Sequence, residues 1–319
     1  MPTKFDGGLL SWSTTLAICS TAVLVVLLGG QVVAFGSIAA VAGFSAGFLG
    51  SVFSSLVSNA RTFAMVLVSI LVCTLFPLQW IAFLSGFVLI SWAAFEGYKN
   101  GGFATVPALN GLLLYLLIPP DERIAVHVLV FLAAATVGSL LSVWLNLAGS
   151  AIRPPMSFKE AISVWLFLIV GMSLTSFLAH IIGNQKSYWL SLLFVFRVLA
   201  PLQNVPDAAL RFGVGVALGS LAALCLEFSG LSHHVLLILG FASAVIGVHR
   251  IGGNTLWTAM FFTIATLLVT APSIGFAVFR IEAAVMIVIL VGGLSSLISW
   301  CWEQIESRSE NQNRKSSSF

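Results

Sequence analysis

Apolar runs of about 15 to 25 residues, broken only by short clusters of glycine, proline and charge, fill almost the whole chain between Ser11 and Trp302. A water-soluble globule built from them would lack the polar surface to cover itself. Of the 319 residues, 59% are hydrophobic and 8% charged, against roughly 25% charged in soluble domains. The pattern predicts an all-α membrane protein. A membrane β-barrel is excluded, because its strands alternate in polarity and these runs are continuous.

Cut at its turn and charge clusters, the chain accommodates about 12 spans of ~20 residues with short loops. Spans one to six run approximately Ser11 to Gly29, Val32 to Leu56, Thr62 to Leu75, Trp80 to Phe95, Ala104 to Ile118 and Ile124 to Leu147. Spans seven to twelve run approximately Ala161 to Ile182, Tyr188 to Ala200, Phe212 to Leu226, Val235 to Val248, Thr255 to Thr270 and Ile274 to Ser299. The first run lacks a convincing small-residue cleavage site and reads as a retained span. The polar segment from Glu303 to Phe319 reads as a disordered tail.

Placed on alternating sides, the basic residues divide unevenly. Lys4, Arg61, Lys99, Arg153, Lys159, Arg197, Arg211, Arg250, Arg308, Arg314 and Lys315 fall on the side of the N-terminus; Arg123, Lys186 and Arg280 fall opposite. Basic residues are retained in the cytoplasm, so both termini are expected there, in a bacterial inner membrane. The net charge of +3 follows from that asymmetry and gives no reason to expect a nucleic-acid partner. The four cysteines lack CxxC spacing, so neither a disulfide framework nor a metal site is expected. No nucleotide-binding motif or nucleophile triad occurs, and neither a cofactor nor an enzymatic activity is expected.

Internal similarity adds a second constraint. Arg61 recurs as Arg211; Gly97, Lys99 and Gly101-Gly102 recur as Gly247, Arg250 and Gly252-Gly253; Arg123-Ile124 recurs as Arg280-Ile281; Ser139 and Ser142 recur as Ser296 and Ser299. Charges are scarce here, so their coincidence counts for more than that of glycines. The expectation is two tandem six-helix repeats in parallel orientation, residues 1–150 and 151–302, followed by the tail at 303–319. Such a pair encloses a shared cavity, the architecture of a transporter that rocks one half against the other.

Candidate site residues follow from where polar groups enter the spans. Span five carries Pro107, Asn110 and Gly111, and span eleven carries Asn254, Trp257 and Thr258; these are either a solute lining or helix-packing contacts. Span two, interrupted by Gly36, Gly43, Gly47 and Gly50, and the short span eight form a second pair. Arg197, inside span eight, either snorkels to the interface or anchors an anion. Arg61 and Arg211 serve topology alone or hold a carboxylate bidentately. His127 and Glu282, near one membrane depth on the opposite side, are candidates for a coupling proton or are solvated interfacial groups. The glycines after Arg211, Gly213, Gly215 and Gly219, read as a close helix contact.

The stretch Tyr188-Trp189-Leu190-Ser191-Leu192-Leu193, followed after a polar turn by Ala209-Leu210-Arg211-Phe212-Gly213-Val214-Gly215-Val216-Ala217-Leu218-Gly219, resembles the Tyr-Trp span and Arg-and-glycine span of the fusaric acid resistance and aromatic acid exporter family. It departs from that family's pattern by one extra residue between Arg211 and Gly215 and by Val216 in place of threonine. The large soluble segments of many relatives have no counterpart here. The resemblance covers mainly residues 160–300. It implies proton-driven export of small organic anions, aromatic carboxylates among them, and a periplasmic adaptor protein as an optional partner. An uptake permease and a non-transporting scaffold or assembly subunit stay open as alternatives, as does association into a homo-oligomer.

Overall fold

A computed structural model describes residues 9–75, 79–101, 124–152, 154–182, 190, 194, 205–251, 253–270 and 274–316. Among these the chain is all-helical, in ten helices: α1 (Trp12–Val32), α2 (Gly36–Phe53), α3 (Leu56–Leu75), α4 (Gln79–Asn100), α5 (Ile124–Trp144), α6 (Phe158–Ile182), α7 (Val205–Phe228), α8 (His233–His249), α9 (Thr255–Thr270) and α10 (Ile274–Ser316). Six are long and apolar enough to cross a membrane. The chain is a multi-pass membrane protein. Spans five and eight of the sequence reading, apart from Leu190 and Phe194, lie outside the described residues.

Local chemistry fixes the helix starts. Ser11 caps α1 by accepting the Thr14 N–H at 3.2 Å. Ser157 and Glu160 form a reciprocal capping box on α6, with the Ser157 N–H donating to Glu160 Oε2 at 2.8 Å and the Glu160 N–H donating to Ser157 Oγ at 3.2 Å. Asn254 Oδ1 accepts the Leu256 N–H at 3.0 Å and opens α9.

Between helices, small residues replace the hydrophobic driving force that lipid does not provide. Gly43 and Gly47 of α2 lie on the backbone of Phe131 and Ala135 of α5. Successive positions on one helix meet successive positions on the other, so α2 and α5 run parallel. Gly215 and Gly219 of α7 meet Leu256 and Met260 of α9 in the same sense, and those two are also parallel. The glycines of α2 therefore do not interrupt it, as the sequence reading supposed: the helix is continuous, and they let a neighbouring backbone approach.

Contacts between helix ends define one face of the bundle. The Leu10 N–H donates to the His249 carbonyl at 3.1 Å, and Trp12 stacks on the His249 ring at 4.1 Å. The Gly149 and Ala151 N–H groups donate to the Ser51 and Val52 carbonyls, and the Met156 N–H to the Gly97 carbonyl. Trp302 Nε1 donates to Ser163 Oγ at 2.8 Å. This face holds the starts of α1, α3, α6, α7 and α9 and the ends of α2, α4, α5, α8 and α10. The consecutive helices α4 and α5 thus run in the same direction, as do α6 and α7. Arg61, Lys99, Lys159, Arg211 and Arg250 lie at this face, whereas Arg280 lies near the start of α10 at the other.

One apolar core joins α2 through α10 around Phe131, Phe167, Leu168, Leu268 and Ile287. A second gathers α1, α2 and α5 around Phe44, Phe48 and Leu141. Across the middle of the chain, α1 packs on α8 and α4 packs on α6; within each part, α1 contacts α5 and α6 contacts α10. The outward positions carry Leu24, Leu27, Leu140, Phe177 and Ile289, side chains suited to lipid.

The expected disorder of 303–319 needs correction up to Ser316, where α10 ends. Its 43 residues reach about 65 Å, roughly twice the hydrocarbon thickness. Good helix formers such as Glu303, Gln304, Glu306 and Arg308 carry it past the apolar run.

Candidate functional site

The densest buried polar group lies at the face just defined, where α2, α3, α4 and α5 end or begin. Ser51, Ser54, Ser58, Asn59, Thr62, Glu96 and Ser142 are all at most 2% exposed. Glu96 is the ionisable member, about 6 Å in from the end of α4. Ser58 Oγ, at the start of α3, donates to Glu96 Oε2 at 2.7 Å. Asn100, one turn on along α4, donates its amide to the same oxygen. Among the described residues Glu96 forms no ion pair. Carboxylates are seldom fully buried without a cation partner, and ionisable groups inside a membrane are costly enough to mark function by default.

Beside Ser58, Asn59 Nδ2 donates to Ser51 Oγ at 3.0 Å and to the Gly47 carbonyl at 3.3 Å. Its Oδ1 has no partner among the described residues. Ser139 Oγ of α5 donates to the same Gly47 carbonyl at 3.2 Å. Close α2–α5 packing and the polar cluster therefore share one backbone carbonyl.

On its outward side the same end of α4 forms a cleft with α6. Ala94, Phe95, Tyr98, Phe158, Ala161, Ile162 and Trp165 line it, and it holds about 270 Å³. Tyr98 meets Phe158 edge to face at 6.2 Å. Lys99 Nζ lies 5.8 Å from the centre of the Phe95 ring. The cleft is apolar and aromatic with a cation at its rim.

The residues singled out from sequence are dispersed. Arg61 is exposed on α3. Arg211 is exposed on α7 and pairs with Asp207 at 2.9 Å, the two side chains 53% and 65% exposed. Trp257 is 44% exposed on α9. Thr258 Oγ1 donates to the Arg250 carbonyl at 3.0 Å, tying α9 to the turn after α8. His127 is fully buried, with Nε2 2.6 Å from the Ala34 carbonyl, at the break between α1 and α2 where Phe35 adopts φ 60°. Glu282 is exposed on α10. Among the described residues α5 and α10 make no extensive contact, so His127 and Glu282 do not form one site. Arg197 and Asn110 lie outside the described residues.

Sequence reasoning passed over Glu96, Ser58 and Asn59. The apolar run of span four stops at Phe95, and that of span two was carried to Leu56, which left all three in loops. The available signal was the helical spacing of Trp92, Glu96 and Asn100 on one face, with glutamate as the acidic group adjoining that run.

Compared with known proteins, the chain matches no family model, no curated protein and no solved structure. Its class therefore rests on the helices themselves: a multi-pass, all-helical membrane protein.

Proposed function

We propose that the protein is an inner-membrane carrier that exports small organic anions, aromatic carboxylates foremost, against the entry of protons. The observation that carries this reading is the α4 end: an open aromatic cleft with Lys99 at its rim, and a buried carboxyl group one residue from Phe95 on the same helix. An aromatic acid would lay its ring on Tyr98 and Trp165 and turn its carboxylate toward the lysine. Arg61 and Arg211, exposed at the same face, would draw anions toward the bundle.

The twelve-span, two-repeat architecture belongs to this proposal. It is supported by the shared direction of the neighbours α4 and α5, and likewise of α6 and α7. Residues 102–123 and 183–204 are each long enough for a further crossing. With the halves exchanged, contact of span one with span ten becomes contact of span seven with span four. These are α1 on α8 and α6 on α4, and both pairs are packed. The basic face of the bundle favours both termini in the cytoplasm.

Cells lacking the protein are expected to accumulate a labelled aromatic acid such as benzoate, and cells with it restored to expel the acid. Unchanged accumulation across a broad panel of organic acids would contradict export.

A further inference from the structure

Two donors converge on a single oxygen of a carboxyl group sealed inside the bundle. Ser58 reaches Glu96 Oε2 from the start of α3, and Asn100 reaches the same atom from the last position of α4. Neither bond occupies Oε1. The side chain is 1% exposed, yet it stands about one turn from the bundle face. It is withdrawn from water but near it.

Among the described residues, the charged groups brought to this end by α4 and by the helices packed on it are Lys99, Arg61 of α3, and Lys159 and Glu160 of α6. Each is directed elsewhere. Lys99 lies over Phe95, Lys159 lies over Trp302 at 5.3 Å, Glu160 accepts the Ser157 N–H in the α6 cap, and Arg61 is exposed. Among the described residues, therefore, no fixed cation is directed at Glu96, and the group is open to a proton.

We infer that Glu96 is the proton-binding site of this protein: a proton taken up from the face carrying the chain ends resides on Oε1, while Ser58 and Asn100 hold Oε2. The step is a simple protonation, carboxylate plus proton giving the neutral acid, with no other bond made or broken. The two states differ in what they ask of their surroundings. Ionised, the group draws both donors tightly and links the start of α3 to the end of α4. Neutral, it accepts them more weakly and becomes a donor itself, which loosens that link. The two-state element is the α3–α4 pair beside the aromatic cleft. This role rests on the transport reading for its purpose, though not for its existence. It also moves the coupling site away from His127 and Glu282.

The test is infrared spectroscopy of the full chain in lipid over a pH titration. A protonated-carboxyl band should appear as pH falls and should be missing in Glu96→Gln. Ser58→Ala, which removes one donor to the ionised form, should move the appearance of that band to higher pH. This second variant keeps the test decisive if Glu96→Gln does not fold. A band that persists in Glu96→Gln, that ignores Ser58→Ala, or that never appears overturns the assignment. In flux assays Glu96→Gln should reduce proton-driven benzoate transport at least about tenfold, a larger loss than in benzoate exchange without a gradient. Equal loss of both modes would mean a structural role. Wild-type protein that moves no organic acid would sink the transport reading alone, and the infrared result would still decide the proton site.

Discussion

Gly47 of α2 lies so close to Ala135 of α5 that a Cβ built on it would stand 2.0 Å from the Ala135 carbonyl oxygen. No rotamer relieves such an overlap, because the obstacle is backbone. The Gly47 carbonyl also accepts bonds from Asn59 and Ser139, so displacing it disturbs the cluster around Glu96. Gly47→Ala is expected to lower stability by about 1 to 3 kcal/mol, read as a fall in Tm in detergent. Gly292→Ala, where nothing lies within 4 Å, is expected to leave Tm unchanged or raise it slightly. Equal effects at both positions would refute the close-approach role.

His127 supports the turn between α1 and α2 through its contact with the Ala34 carbonyl at 2.6 Å. Replacing it with alanine leaves a cavity and removes a partner of the Ala34 carbonyl. His127→Ala is expected to cost about 1 to 3 kcal/mol in a detergent unfolding experiment. An unchanged Tm would mean that the contact is dispensable.

The ion pair between Asp207 and Arg211 is open to solvent on both sides and spans one helical turn. Asp207→Ala is expected to change stability by less than about 0.5 kcal/mol. A larger loss in thermal unfolding would show that the pair is buried by something beyond the described residues.

If Lys99 receives the carboxylate of an aromatic acid at the cleft, Lys99→Ala should raise the KM for benzoate about tenfold, the loss of a charged contact worth about 1.5 kcal/mol. Tyr98→Ala should act the same way through the ring. A KM unaltered in both variants would remove the cleft from solute binding.

Ten of the twelve apolar runs coincide with described helices, because a segment whose backbone must satisfy itself in lipid declares its length and polarity plainly. The close contact of Gly215 and Gly219 was readable as well, since small residues at helical spacing have few other uses in a membrane. What could not be read were boundaries and partners. Glu96, Ser58 and Asn59 end or follow apolar runs, and polarity alone assigns them to loops. They lie inside helices because each finds its bonds on another helix, a fact of tertiary packing. Glycine in α2 was misread for a related reason: a gap in side-chain volume looks like an interruption until the helix that fills it, α5, is seen lying parallel to it. Arg280 likewise gave no sign in sequence that packing around α10 would leave it only 4% exposed.

Purified protein in liposomes, loaded with labelled benzoate and given an opposing proton gradient, tests the proposed carrier function directly. Efflux should exceed that of empty-membrane controls, rise with the gradient and collapse when a protonophore is added. Correctly folded protein that moves neither benzoate nor any other organic acid, with or without the gradient, would contradict the account.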